Sequence, residues 1–164
     1  MQTAPQAMRS DATMRERRAR SEKALLWRGA ALTAVAAVLF PRLNAVLHEH
    51  QAFWQLDTEA AVLIPIVVAV TVLVFAVLGS WAWRGEGAPN RPARIGLVTG
   101  IVALVGVVAF FVSAPILLGG LALTLGLEGS KRAGVEGERR RAHAAIVLGA
   151  LAVLVGAAIW LAGG

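Results

Sequence analysis

The sequence predicts an all-α protein, a polytopic membrane helical bundle in which four hydrophobic blocks supply five helices. Two observations carry this prediction, and a third sets the helix number. Hydrophobic residues make up 57% of the 164 positions, leaving too little polar surface to cover a soluble core. They gather into blocks at 24–47, 60–83, 95–127 and 142–162, each as long as the ~18 apolar residues that can span a bilayer's hydrocarbon core as a helix. The third block runs 33 residues without an ionisable side chain, about 50 Å as one helix, and it is broken in the middle.

A charged tail, 1–23, precedes a single transmembrane helical domain, 24–164. In the tail's "RSDATMRERRARSEK", Ser10 or Asp11 can cap a helix, and Glu16 stands four residues before Arg20. With no apolar face, this segment is either unstructured or a polar extension of the first span. The first helix, about 24–47, reads as a retained anchor, since Pro41 and Arg42 follow its apolar centre without a small-x-small cleavage site. Arg28 and Arg42 lie close enough to its ends to snorkel. The second helix covers about 60–83.

In the third block, Pro115 disfavours helical geometry at Ala114, and Ser113 can cap a new helix with Pro115 in its first turn. Ser113, Ala114 and Pro115 therefore make the turn of a helical hairpin, with arms of about 95–112 and 115–131 and with Phe110 and Phe111 near the interface. The returning arm holds Gly119, Gly120, Gly126 and Gly129, and is either a short full span or a re-entrant arm. The last helix covers about 142–162.

Charge supports the hairpin. With it, the tail, the 84–94 loop and the 128–141 loop share one side, which then holds every Lys and Arg except Arg42. Without it, Lys131, Arg132, Arg139, Arg140 and Arg141 cross to the other side, against the positive-inside rule. The N terminus is thus expected in the cytoplasm and the C terminus outside. Trp27, Trp81 and Trp83 fall at the inner ends of the first two spans and Trp160 at the outer end of the last, the headgroup levels that tryptophan favours.

Small residues mark where helices meet in lipid. The last span carries Ala142, Ala145, Gly149, Ala152 and Gly156 at steps of three and four, and the third has Gly96 and Gly100 in a GxxxG pattern. Gly29, Ala30, Ala34 and Ala37 mark the first. These residues serve contacts within one copy or self-association, and the chain must pack its own helices first. Leu97-Val98-Thr99-Gly100, then Pro115 with Gly119, Ala122 and Gly126, a charged loop and Ala144-Ala145-Ile146-Val147-Leu148-Gly149 resemble a glycine-rich domain of unknown function. That domain belongs to an uncharacterised family of small actinobacterial membrane proteins. The resemblance covers about 95–160, and it implies no activity and no catalytic residue. The chain departs from the family pattern in its two extra spans and its charged tail.

Chemistry is sparse. With no cysteine, disulfides, thiolate metal sites and thiol catalysis are excluded. The centres of the second, third and last spans hold no ionisable group of the kind proton relays and transporters use. Thr33, Thr71, Thr99 and Thr124 are expected to bond back to helical carbonyls. His48, Glu49, His50, Asp57 and Glu59 could approach a divalent ion, but a spacing of two diverges on a helix, so solvated interfacial residues and no metal are expected. His143 stands alone. No phosphate loop, catalytic triad or ligand cluster supports enzyme activity or a cofactor. Nucleic acid is not expected, because no basic patch is interleaved with stacking aromatics. The expected partners are the bilayer, anionic lipid headgroups at the basic loops, and a membrane protein or a second copy. The function expected is that of a non-catalytic accessory or packing partner in the bacterial cytoplasmic membrane. The alternative is a small transporter or channel.

Overall fold

The computed structural model describes residues 4–48, 58–83, 90–109 and 113–162, and among them it is all-helical, without strands. The first helix, α1 (Ala4–His48), is followed by α2 (Thr58–Val74), which widens into a π-turn (Phe75–Gly79) and continues as α3 (Ser80–Trp83). Then come α4 (Arg91–Ala109), α5 (Ser113–Arg132) and α6 (Glu136–Leu161). Among the described residues, three stretches are long and apolar enough to cross a membrane: Arg20–His48, Ala61–Ala82 and Glu136–Leu161.

Several boundaries differ from the sequence reading. The tail is helical and continuous with α1, the polar extension that is one of the two readings, so that α1 starts at Ala4, not 24, reaches about 68 Å and passes through Pro41. Helix α6 starts at Glu136, not 142. Glu136 and Glu138 favour the positive end of a helix, and Glu138 accepts a hydrogen bond from the Gly134 N–H at 3.1 Å. Helix α5 starts at Ser113, not 115, and Ala114 is helical despite the following proline, which the first turn tolerates because its amides are unpaired anyway. Phe110, Phe111 and the side chain of Ser113 lie outside the described residues.

The returning arm is one helix of 20 residues, about 30 Å long. It also occupies the centre. Pro115, Ile116, Leu117, Gly119, Leu121, Ala122, Thr124, Leu125, Gly126, Glu128 and Gly129 are all buried. Glycines let neighbours approach from several directions: α6 through Gly119 and Gly126, α1 through Gly120, and α4 through Gly129. Each neighbour runs antiparallel to α5. Gly129 abuts Ala93 while Gly96 meets Leu125. Gly126 meets Ile146 while Gly156 meets Ile116. Gly29 meets Thr124 while Gly120 meets Thr33. The third block is therefore a helical hairpin, α4 out and α5 back.

Helix α2 lies at the periphery, held by a few deep residues. Thr71 and Phe75 are wholly buried, and Phe75 packs with Leu26, Ala30, Leu121 and Leu125. At the π-turn, the Ser80 hydroxyl donates to the Val77 carbonyl at 3.1 Å.

Candidate functional site

All six packing positions read from the sequence lie inside the bundle. A Cβ on Gly96 would approach Leu125 Cβ to 3.1 Å, and one on Gly100 would approach Leu148 Cβ to 3.0 Å. Ala145 and Ala152 are fully buried, and a Cβ on Gly156 would lie 2.9 Å from Ile116 Cγ1. Gly149 meets the backbone of α5. Their partners belong to the same chain, so these small residues are consumed in assembling one copy.

Three of the threonines bond back as expected. Thr71 Oγ1 donates to the Val67 carbonyl at 2.7 Å, Thr99 to that of Ile95 at 2.8 Å, and Thr124 to that of Gly120 at 2.8 Å. Each of these hydroxyls thereby spends its proton within its own helix.

Arg42 is buried in the protein and has a bonding partner there. Trp160 is half-buried against the cluster of Ala37, Ile116 and Leu117. Glu49, His50, Asp57, the 84–89 segment and the side chains of Glu59 and Trp83 lie outside the described residues. Among the described residues, no group of three or more His, Asp or Glu side chains could hold a metal ion.

The chemistry-bearing side chains that do converge lie at the charged end, where α1, α4 and α5 meet. Glu128 is buried although it is a carboxylate. Arg132, one turn later on α5, donates from Nε to Glu128 Oε1 at 3.0 Å, and its Nη2 lies 2.7 Å from Glu22 Oε2 on α1. Lys131 Nζ stands 3.9 Å from Glu128 Oε2. Beside them, Asn90 Nδ2 donates to the Gly129 carbonyl at 2.7 Å, and Asn90 turns the chain into α4 with φ 38°. Asparagine tolerates that left-handed conformation better than most residues. On the flank of this cluster, the Arg91 guanidinium lies 4.8 Å from the centroid of the Trp81 ring, a cation–π distance.

The cluster's carboxylates are neutralised by Arg132 and Lys131, so it acts as a lock joining α1 to α5, with the α4–α5 corner sealed by Asn90. Sequence reasoning misses Glu128. The only local signal is its spacing of four to Arg132; the decisive partner, Glu22, is remote in sequence.

An all-helical bundle with three membrane-length apolar helices and a charged end fits the class of membrane proteins. No family model matches the chain, and no match emerges among the curated proteins or the solved structures.

Proposed function

We propose that this chain is an integral protein of the bacterial cytoplasmic membrane that acts by association, as a non-catalytic accessory or packing partner. The observation supporting this most directly is the interior. Where α5 meets α4 and α6, the contacts are glycine and alanine against backbone, at distances that leave no room for a solvated path. Buried threonines that could line such a path bond to their own helices. In this reading the charged end lies in the cytoplasm with the N terminus, the C terminus is outside, and the exposed arginines meet anionic lipid. The resemblance to glycine-rich actinobacterial membrane proteins accords with a bacterial setting.

The test has two arms. Crosslinking in native membranes followed by purification should recover a discrete membrane-protein partner in reproducible proportion. Purified protein in sealed liposomes should pass no ions or small solutes above the empty-vesicle rate. Selective, saturable flux would overturn the proposal in favour of a transporter or channel.

A further inference from the structure

We propose that the surface formed by Trp81 of α3 and Arg91 and Arg94 of α4 binds the phosphate of an anionic phospholipid, with the two arginines as cationic ligands and Trp81 as the floor. The inference rests on the membrane reading above and deepens it to one site.

At this end, among the described side chains, Glu22 and Glu128 face Arg132 and Lys131, Glu136 faces Arg140, and Glu138 accepts from the Gly134 N–H. Among the described residues, Arg91 and Arg94 meet no carboxylate. Arg91 is nonetheless held in place, since its guanidinium stacks on Trp81. A guanidinium carries five N–H donors, so one seated over a ring keeps donors for a phosphate oxygen, which arginine engages in a forked geometry that lysine lacks. Arg94 is exposed and three residues further along α4, so it projects from a neighbouring turn on the same side as Arg91.

The apolar surroundings point to a lipid, not to a free anion. Trp81 is 52% exposed, and exposed Val77 and Leu73 precede it by four and eight residues. On α4, exposed Val98 follows Arg94 by four. Apolar strips thus lead away from the arginine pair along both helices, as acyl chains need below a bound headgroup. Tryptophan at the head of such a strip sits at the headgroup level.

The experiment uses the full-length protein, delipidated in detergent, with melting temperature and lipid adducts in native mass spectrometry as readouts. The probes are phosphatidylglycerol, phosphatidylcholine and inorganic phosphate. Phosphatidylglycerol should raise the melting temperature saturably and the other two should not. Arg91→Gln with Arg94→Gln should weaken that binding at least about tenfold. The control Arg139→Gln with Arg141→Gln should leave it unchanged. Should the glutamine pair fail to fold, Trp81→Leu gives a second reading and should also weaken binding. Equal loss in the control would show diffuse charge attraction and overturn the site. An equal response to inorganic phosphate would overturn the lipid assignment. Release of the protein from membranes by alkaline carbonate would sink the membrane reading itself, whereas firm retention without phosphatidylglycerol preference would sink only this site.

Discussion

Gly119 of α5 and Gly149 of α6 meet backbone to backbone. A Cβ on Gly149 would lie 2.6 Å from the Gly119 carbonyl oxygen, and one on Gly119 would lie 2.8 Å from that of Gly149. The approach is reciprocal, so each Cα–H faces the other carbonyl, a contact of about 0.5–1 kcal/mol that only glycine permits here. In lipid, where leucine gains nothing by leaving the tails, such proximity is what brings helices together.

Gly149→Ala must therefore push α6 off α5. The obstructing atoms are backbone, so no rotamer change relieves the clash, and the expected loss is about 1–3 kcal/mol. Gly137, on the same helix, faces open space, and a Cβ there would meet nothing within 4 Å. Gly137→Ala should instead raise stability by about 0.5–1 kcal/mol through the lower helix cost of alanine. Thermal unfolding in detergent separates the two; a Gly149→Ala protein as stable as wild type would refute the close crossing.

The α1–α5 crossing repeats one motif. Gly29-Ala30-Ala31-Leu32-Thr33 and Gly120-Leu121-Ala122-Leu123-Thr124 run antiparallel, each glycine receiving the other helix's threonine. Thr124 is held by its bond to the Gly120 carbonyl and by β-branching, so it cannot turn aside from an intruding methyl. Gly29→Ala should destabilise. Adding Thr124→Ala to it should recover part of the loss, with a coupling energy of about 0.5–3 kcal/mol. Additive effects would mean that these residues do not meet.

Much of this fold is legible in the sequence, and what is not has physical causes. The apolar blocks, Pro115 and the distribution of arginines suffice for five helices and a hairpin. The helical tail is one of the two readings the sequence leaves open, because charged residues without an apolar face give no periodic signal to choose between them. The central place of α5 is hidden by its glycines. Glycine lowers helix propensity, yet packing against α1, α4 and α6 holds the arm helical from Ser113 to Arg132. Of the charged-end site, Trp81 and the basic loops are visible as interfacial features. The burial of Glu128 and the Arg91–Trp81 stack depend on contacts between helices, which spacing within one helix does not reveal.

Sidedness follows from the antiparallel order and can be read with single cysteines, since the natural chain has none. His48 at the end of α1 is exposed, and Gly134 before α6 is open to a reagent, with nothing within 4 Å of a Cβ placed there. In intact cells, a membrane-impermeant thiol reagent should label His48→Cys and spare Gly134→Cys until the membrane is opened. Equal labelling of both would contradict the proposed orientation.

The ion cluster makes the final prediction, an order of stability losses. The Glu128 side chain is 5% exposed, and Arg132 is its close partner; Lys131, at 3.9 Å and 63% exposed, is a weak substitute. Arg132→Gln leaves that carboxylate buried with little compensation, and breaking a buried pair from one side costs about 3–5 kcal/mol. Glu22→Gln is milder, because Arg132 keeps Glu128 and the Glu22 side chain is already 19% exposed. Glu128→Gln removes the buried charge itself and should also cost less than Arg132→Gln. The exposed Arg140–Glu136 pair provides the reference, since both side chains are more than three-quarters exposed. Arg140→Gln should change stability by no more than about 0.5 kcal/mol, and added salt should erase even that. Melting temperatures at low and high salt give the order directly. An Arg132→Gln protein no less stable than Arg140→Gln would show that the cluster does not lock α1 to α5.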